Sequence, residues 1–239
     1  MDPARIEVSI IIPVYNEEGL LETAINDLIV KLGETGWEKE IIITENGSTD
    51  HTVEIARGLA QRYPFVKVLN SPEPNYGRAL RRGIEAASGV YCMCDEIDIC
   101  DVGFHKAAWD LLKTGDWDMV VGSKRHPDAR DARPAFRRFA TRVVNWMLRL
   151  ATGFKGTDTH GLKAFNREAT LPVVKSCIVE KDMFTSELVI RAEKLIRVKE
   201  IPVTIVEKRP PAINLFRRVP NVLRNIFRLF MIIRLGKKA

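Results

Sequence analysis

The stretch from Ile6 to Glu18, reading Ile-Glu-Val-Ser-Ile-Ile-Ile-Pro-Val-Tyr-Asn-Glu-Glu, constrains the fold more than any other part of the chain. Its first half is almost unbroken apolar sequence, the mark of a parallel strand covered on both faces. Pro13 is expected to end the strand, and Asn16-Glu17-Glu18 to cap a helix and supply its acidic first turn. Tyr15, Asn16 and Glu17 then sit at the carboxyl end of a parallel strand, where open α/β sheets bind ligands. Carboxylates at a helix start repel anions, so this loop suits a base or a ribose better than a polyphosphate.

Further strand-length apolar runs fall at residues 40–44, 66–69, 90–94 and 119–121, separated by helical patterns at 17–32, 52–62, 77–87 and 104–112. Leu20, Leu21, Ala24, Leu28 and Leu32 form a core-facing stripe at three-to-four spacing. This alternation predicts an α/β fold, a mostly parallel sheet flanked by helices. The second half has a basic segment over 124–149, a loop near 152–160, helical patterns at 167–175 and 181–194, and a strand at 198–206 that Pro202 marks as an edge or bulge. One domain over 1–206 with an extension over 207–239 is expected.

Charge sharpens that division. The chain carries 37 Lys and Arg against 31 Asp and Glu, yet nine of the bases and only one acid lie at or after Glu207. A near-neutral globule with a basic tail asks for an anionic partner, a membrane surface or a nucleic acid. In the last helix Arg217, Arg224 and Arg228 share one face, and Val219, Val222, Ile226, Leu229, Phe230 and Ile233 fill the opposite one. Arginines interrupt the apolar residues too often for a bilayer span, so the pattern reads as an interfacial helix. A helix packed on its own domain or in a homodimer seam is the alternative. Cys92, Cys94, Cys100 and Cys177 lie in apolar contexts, and Asp2 and Glu7 stand where a secretory leader would be basic and then apolar. Reduced, packed thiols in a cytoplasmic chain are expected.

Two acidic clusters carry the chemistry. Glu45-Asn46-Gly47-Ser48-Thr49-Asp50 closes the second strand, with Ser48 or Asp50 placed to cap the next helix. Cys94-Asp95-Glu96-Ile97-Asp98 closes the fourth. Three acids within four residues repel one another unless a cation sits among them; Mg²⁺ or Mn²⁺ bridging a diphosphate fits. Alternation sets Glu96 and Asp98 on one side and Asp95 on the other. Arg78, Arg81 and Arg82, after Asn75-Tyr76-Gly77, are candidates for neutralising phosphates or simply a solvated face. Acidic tips along the sheet edge disfavour nucleic acid.

Together with Val121-Gly122-Ser123-Lys124-Arg125, Asp158-Thr159-His160-Gly161-Leu162-Lys163-Ala164-Phe165 and Lys199-Glu200-Ile201-Pro202-Val203, these motifs resemble the family 2 glycosyltransferases of GT-A fold. More narrowly, they resemble the polyprenol-phosphate (dolichyl-phosphate) mannosyl- and glucosyltransferases. The resemblance implies that Pro13, Tyr15, Glu17, Glu45, Gly77, Asp95 and Glu96 bind the nucleotide sugar. By the same token Glu96 and Asp98 hold Mg²⁺ or Mn²⁺, and Asp98, Lys124, Arg125 and Arg138 (or its neighbour Arg137) serve catalysis and the acceptor phosphate. The family usually has Asp at Glu45 and an Asp-Ala-Asp-like triplet at Glu96-Ile97-Asp98. The implied reaction is inverting hexose transfer from a GDP- or UDP-hexose to a polyprenyl phosphate, by a peripheral enzyme on the inner, cytoplasmic membrane face. The alternatives are a soluble or polysaccharide acceptor, with Asp158 or His160 as base, and a non-catalytic nucleotide-sugar-binding homologue.

Overall fold

The computed structural model describes residues 5–132, 134–181, 183–205 and 215–236. The first half runs β1 (Val8–Val14), α1 (Leu21–Gly33), β2 (Lys39–Glu45), α2 (Thr52–Arg62), β3 (Val66–Leu69), α3 (Tyr76–Ala86), β4 (Tyr91–Cys94), α4 (Val102–Lys113) and β5 (Met119–Ser123). The second half runs β6 (Arg130–Asp131), α5 (Ala135–Thr152), β7 (Lys163–Asn166), α6 (Arg167–Ser176), α7 (Phe184–Leu195), β8 (Val198–Pro202), β9 (Thr204–Ile205) and α8 (Leu215–Leu235). Seven strands form one sheet in the order β3-β2-β1-β4-β7-β5-β8, parallel except for β7, and β6 pairs with β9 in a separate ribbon.

β1 takes a central place because both of its faces are apolar. Val8, Ile10, Ile12 and Val14 pack with Leu21, Ile25, Leu28 and Leu32 of α1, whereas Ile11 faces Leu80 and Ile84 of α3. β2 repeats the alternation, with Ile41 and Ile43 on one side and Ile42 on the other. Each such fully buried side chain contributes about 1.5–3 kcal/mol. Helices α1, α2 and α4 cover the first face, and α3, α5, α6, α7 and α8 the second.

Several expectations are corrected. Pro13 does not end β1, which continues to Val14; pairing with β4 stops at Ile11–Cys94, so Pro13 lies at a tip where the missing N–H costs nothing on that side. Asn16 is not a helix cap. It adopts a left-handed φ of 52°, α1 starts at Leu21, and Glu17 and Glu18 lie in the loop ahead of it. Ser48 does not cap α2 either, although Asp50 Oδ1 accepts the Thr52 N–H at 3.0 Å. Most of an 18-residue helix, α5, lies in the basic segment and runs on to Thr152, where the loop was expected to begin. β7, which the sequence reading did not resolve, slots antiparallel between β4 and β5. Pro202 does stand on the edge strand, β8.

The last helix also differs. Ile226, Leu229 and Ile232 are buried, and Val222 and Ile233 pack beside them on the second face of the core. Most of the apolar side that the sequence turned towards a membrane therefore faces the protein, because the sheet's second face needs that cover. The boundary at 206–207 and the side chains of Arg217 and Val219 lie outside the described residues.

Candidate active site

β2, β1 and β4 are adjacent parallel strands, and their carboxyl ends present three loops along one edge of the sheet. The first two loops are stitched together. Asn16 N donates to Ser48 Oγ at 2.9 Å, Thr49 N to Asn16 Oδ1 at 2.9 Å, and Glu17 N to Thr52 Oγ1 at 2.7 Å. The left-handed backbone at Asn16 makes this exchange possible; such strain in a non-glycine residue is commonly found at functional loops. Pro13, Tyr15, Glu17 and Glu45 are thereby brought together at the β1 and β2 tips. Tyr15 is 45% exposed, whereas Glu45 is buried. Glu45 Oε1 accepts the Ser48 N–H, but its buried Oε2 has no hydrogen-bond partner among the described residues and is left as an open acceptor.

The third tip is built around Asp95. This carboxylate is buried and accepts the N–H groups of Glu96 and Asp101 at 2.7 and 3.1 Å. His105 Nε2 of α4 lies 2.8 Å from Asp95 Oδ2, a close electrostatic contact that is off line for a hydrogen bond. The loop wraps this core with Cys100 in a left-handed conformation, φ 45°. Asp95 thus turns inwards, while Glu96 is exposed and Asp98 half-buried, the sidedness expected although these residues lie beyond the strand.

Charges converge on Glu96 from several elements. Although the side chain is exposed, desolvation by the protein around it raises its carboxyl above the usual carboxylate range, and Asp98 and Asp95 add to the rise; Lys124 and Lys163 oppose it. Tyr76, at the start of α3, belongs to the same group. Its side chain is 39% exposed, yet desolvation raises the phenol well above the normal value, and Glu96, Cys94, Asp95 and Asp98 push in the same direction.

On the far side, Lys124 follows β5 and its Nζ lies 3.3 Å from Asp158 Oδ2. Burial alone would raise Asp158, but Lys124, the His160 N–H, and the charges of His160 and Lys163 together lower it. Lys163, in the middle of the sheet opposite Cys94, is buried and donates to the Gly161 carbonyl at 2.6 Å. Burial pushes its ammonium down to about 8, against the attraction of Cys94, Asp158 and Glu96. Arg125 is half-buried after β5, and Arg138 is exposed near the start of α5. Gly77 is explained by packing, since a Cβ there would strike the Glu180 carbonyl. Arg78 pairs with Glu180 at 3.1 Å, Arg81 donates to Cys177 O and Arg82 to Asn70 O and Ser71, so these three serve the scaffold.

Tyr76, Asp158 and Lys163 are the residues that sequence reasoning left out of the site or gave another role. Tyr76 and Lys163 stand in two of the motifs that carry the resemblance, but nothing there marks either as a site residue; for Lys163 the pairing of β7 with β4 supplies the reason. Among the described residues no group of three or more His, Cys, Asp or Glu is arranged to hold a metal. Glu96 and Asp98 nonetheless suit a hard cation that takes one or two carboxylates and completes its shell with substrate phosphates and water, and the crowding that raises Glu96 is what such an ion would relieve.

Comparison with known proteins gives the family and the fold. The family model described as "Glycosyl transferase family 2" matches residues 9–171. The chain is 29% identical over 232 residues to "Glycosyltransferase AglD" of Haloferax volcanii, covering 94% of this chain and 37% of that protein. It is 28% identical over 216 residues to "Dolichyl-phosphate beta-glucosyltransferase ALG5A" of Trichomonas vaginalis, covering 84% of this chain and 66% of that one. The chain therefore spans only part of the length of these relatives. Among solved structures, glucosyl-3-phosphoglycerate synthase from Mycobacterium tuberculosis in complex with Mn²⁺, UDP and glucosyl-3-phosphoglycerate superposes with a TM-score of 0.68 at 18% identity, over 99% of this chain and 82% of that one. The fold is thus the GT-A arrangement.

Proposed function

Because the chain belongs to glycosyl transferase family 2, we propose that it transfers a hexose from a GDP- or UDP-hexose to a polyprenyl phosphate, with inversion, using Mg²⁺ or Mn²⁺. The observation that carries this reading is the run of three acidic strand tips on one sheet edge, faced by the ammonium groups of Lys124 and Lys163. The relatives named as dolichyl-phosphate glucosyltransferases support the lipid acceptor. In this reading Pro13, Tyr15 and Glu17 border the base, and the unpaired Oε2 of Glu45 receives a ribose hydroxyl. Glu96 and Asp98 would hold the cation, whose chemistry is to neutralise the donor's diphosphate. Asp95 and Gly77 shape the site without touching the donor.

A phosphate monoester reaches the site already ionised, so its oxygen needs no base. The new bond forms between that oxygen and the anomeric carbon as the bond to the diphosphate breaks on the opposite side. Lys124, Arg125 and Arg138 stabilise the phosphates, and catalysis rests on placement and electrostatics. Among the described residues no helix is long and apolar enough to cross a membrane; the proposal puts the enzyme peripherally on the cytoplasmic face, where a phosphorylated lipid is reached from the surface.

The test is incubation with labelled UDP- and GDP-hexoses and a divalent cation, offered a short polyprenyl phosphate or 3-phosphoglycerate. Label extracted into organic solvent only with the lipid is the expected result. Label on the soluble acceptor alone would replace this reading with the soluble-acceptor one, and no transfer to either would leave a binding protein.

A further inference from the structure

We infer that α5 and the outer side of α8 together form a platform that docks on an anionic lipid surface, with α5 supplying the main apolar contact. This deepens the membrane part of the proposed function and is testable apart from it, since docking needs neither donor nor transfer. The carrying observation is a second apolar face on α5. Phe139, Val143, Trp146 and Leu150 recur at alternating four- and three-residue intervals and are 61, 37, 61 and 63% exposed. The helix already buries Asn145, Leu148 and Thr152 on another side. The stripe is therefore extra apolar surface, beyond what the core requires.

α8 continues the pattern. It packs beside α5, and its Arg234 guanidinium reaches Gly153 just past the end of that helix. With Ile226, Leu229 and Ile232 turned inwards, Leu223 and Phe227 point out, 48 and 63% exposed, and the Phe227 and Phe230 rings lie 6.5 Å apart. Clusters of exposed large apolar side chains on adjoining helices mark interaction surfaces more often than isolated ones do.

Charge decides between the occupants. Neither α5 nor α8 contains a single Asp or Glu, while Arg142, Arg149, Arg224 and Arg228 are exposed on them. A second copy meeting this face in two-fold contact would set these arginines against their own equivalents without an acid to compensate. An anionic leaflet supplies the missing sign, and each cation held near it raises affinity by about fivefold. Exposed Trp and Phe beside Arg are the composition that settles at the headgroup level.

The experiment uses the full chain and vesicles of phosphatidylcholine with or without phosphatidylglycerol. Removing α8 would be uninformative, because it uncovers Ile226, Leu229 and Ile232 on the core. The variant is instead Phe139→Ser with Trp146→Ser, both exposed, whose thermal midpoint should match the parent. We expect the parent to cosediment with anionic vesicles and the double variant to bind them at least about tenfold more weakly. Brominated lipids should also quench the parent's fluorescence. Of its tryptophans, Trp37 and Trp109 are buried and Trp117 is half-buried, so Trp146 is the one placed to report contact. Arg142→Glu with Arg224→Glu should abolish the preference for anionic lipid. Undiminished vesicle binding by the double variant, or absence of quenching, overturns the platform. So does a parent dimer that the double variant converts to monomer without any vesicle binding, which would assign the face to a second copy. Docking without hexose transfer would leave the platform standing and remove the proposed reaction.

Discussion

Replacing Lys163 by methionine should make the protein more stable at neutral pH while weakening its donor site. Lys163 is buried and its ammonium is pushed down from 10.5 to about 8. At 1.36 kcal/mol per pKa unit, this means a charged form disfavoured in the fold by about 3 kcal/mol. The sign follows from linkage: with the folded pKa below the unfolded one, the unfolded chain binds more protons between the two values. The penalty is thus fully present below about 8 and is relieved as pH rises towards 10.5. Methionine removes the charge but also the bond to the Gly161 carbonyl, worth about 1 kcal/mol, leaving a net gain of about 2 kcal/mol. For a chain of this size that is roughly 4–8 °C in Tm. Thermal unfolding of both proteins across that pH range is the assay. The variant should lead at pH 7 and the gap should narrow as the wild type gains. Donor affinity, read by calorimetry with Mn²⁺ present, should fall about tenfold as Glu96 and Asp98 lose a compensating charge. A variant less stable than wild type at pH 7, or a gap that does not change with pH, would refute the reasoning.

Asp98→Ala should lower kcat/KM by at least about a hundredfold with Tm unchanged; Asp95→Ala, by contrast, should cost about 2–4 kcal/mol in chemical denaturation, because it frees two partly buried N–H groups and strips the buried His105 of its neighbour. Glu45→Ala should weaken nucleoside-diphosphate binding by about tenfold or more, measured by calorimetry, and a ribose-free diphosphate should not distinguish the two proteins. Leu229→Ala should cost about 2–5 kcal/mol, whereas Phe227→Ala on the outer side should leave the denaturation midpoint in place. Glu200→Gln should slow transfer about tenfold without altering vesicle binding, since Glu200 accepts the Thr157 and Asp158 N–H groups that hold Asp158 against Lys124.

The parallel core was legible in the sequence because both faces of β1 and β2 are buried, and burial on both sides writes itself as an unbroken apolar run. β7 left no such trace. Its four residues, Lys-Ala-Phe-Asn, include a buried lysine, and only pairing with β4 and β5 makes them a strand. The same distinction governs the candidate site. Glu45, Glu96 and Asp98 could be singled out as candidates because acids directly after apolar strands have few other reasons to be there. Lys163 and Tyr76 could not, since one arrives on an antiparallel insertion and the other on the first turn of α3. For α8 the helical period located an apolar side but could not say whether protein or lipid would meet it. On α5, two apolar sides and scattered arginines blurred the period altogether.

The state of Asp158 links the site to the choice of acceptor. A sugar hydroxyl needs a base to take its proton, and Asp158 is a residue of the right type beside Lys124. Yet it is buried, held low by Lys124 and the His160 N–H, and fixed from behind by the Thr157–Asp158 backbone on Glu200. A carboxylate stabilised in its charged form by this many partners is a weak proton acceptor, and accepting a proton would break the contact with Lys124. The same pair does suit an acceptor that brings its own negative charge, because Lys124 stands at the strand tips to meet it and nothing has to be deprotonated. The Thr157 carbonyl is bound by Asn145 and that of Gly156 by Arg149, both on α5. The helix proposed to meet the lipid surface is therefore fastened directly to the loop that holds Asp158 and Lys124 in place, so that an acceptor phosphate lying at that surface and the charges that would receive it share one rigid support.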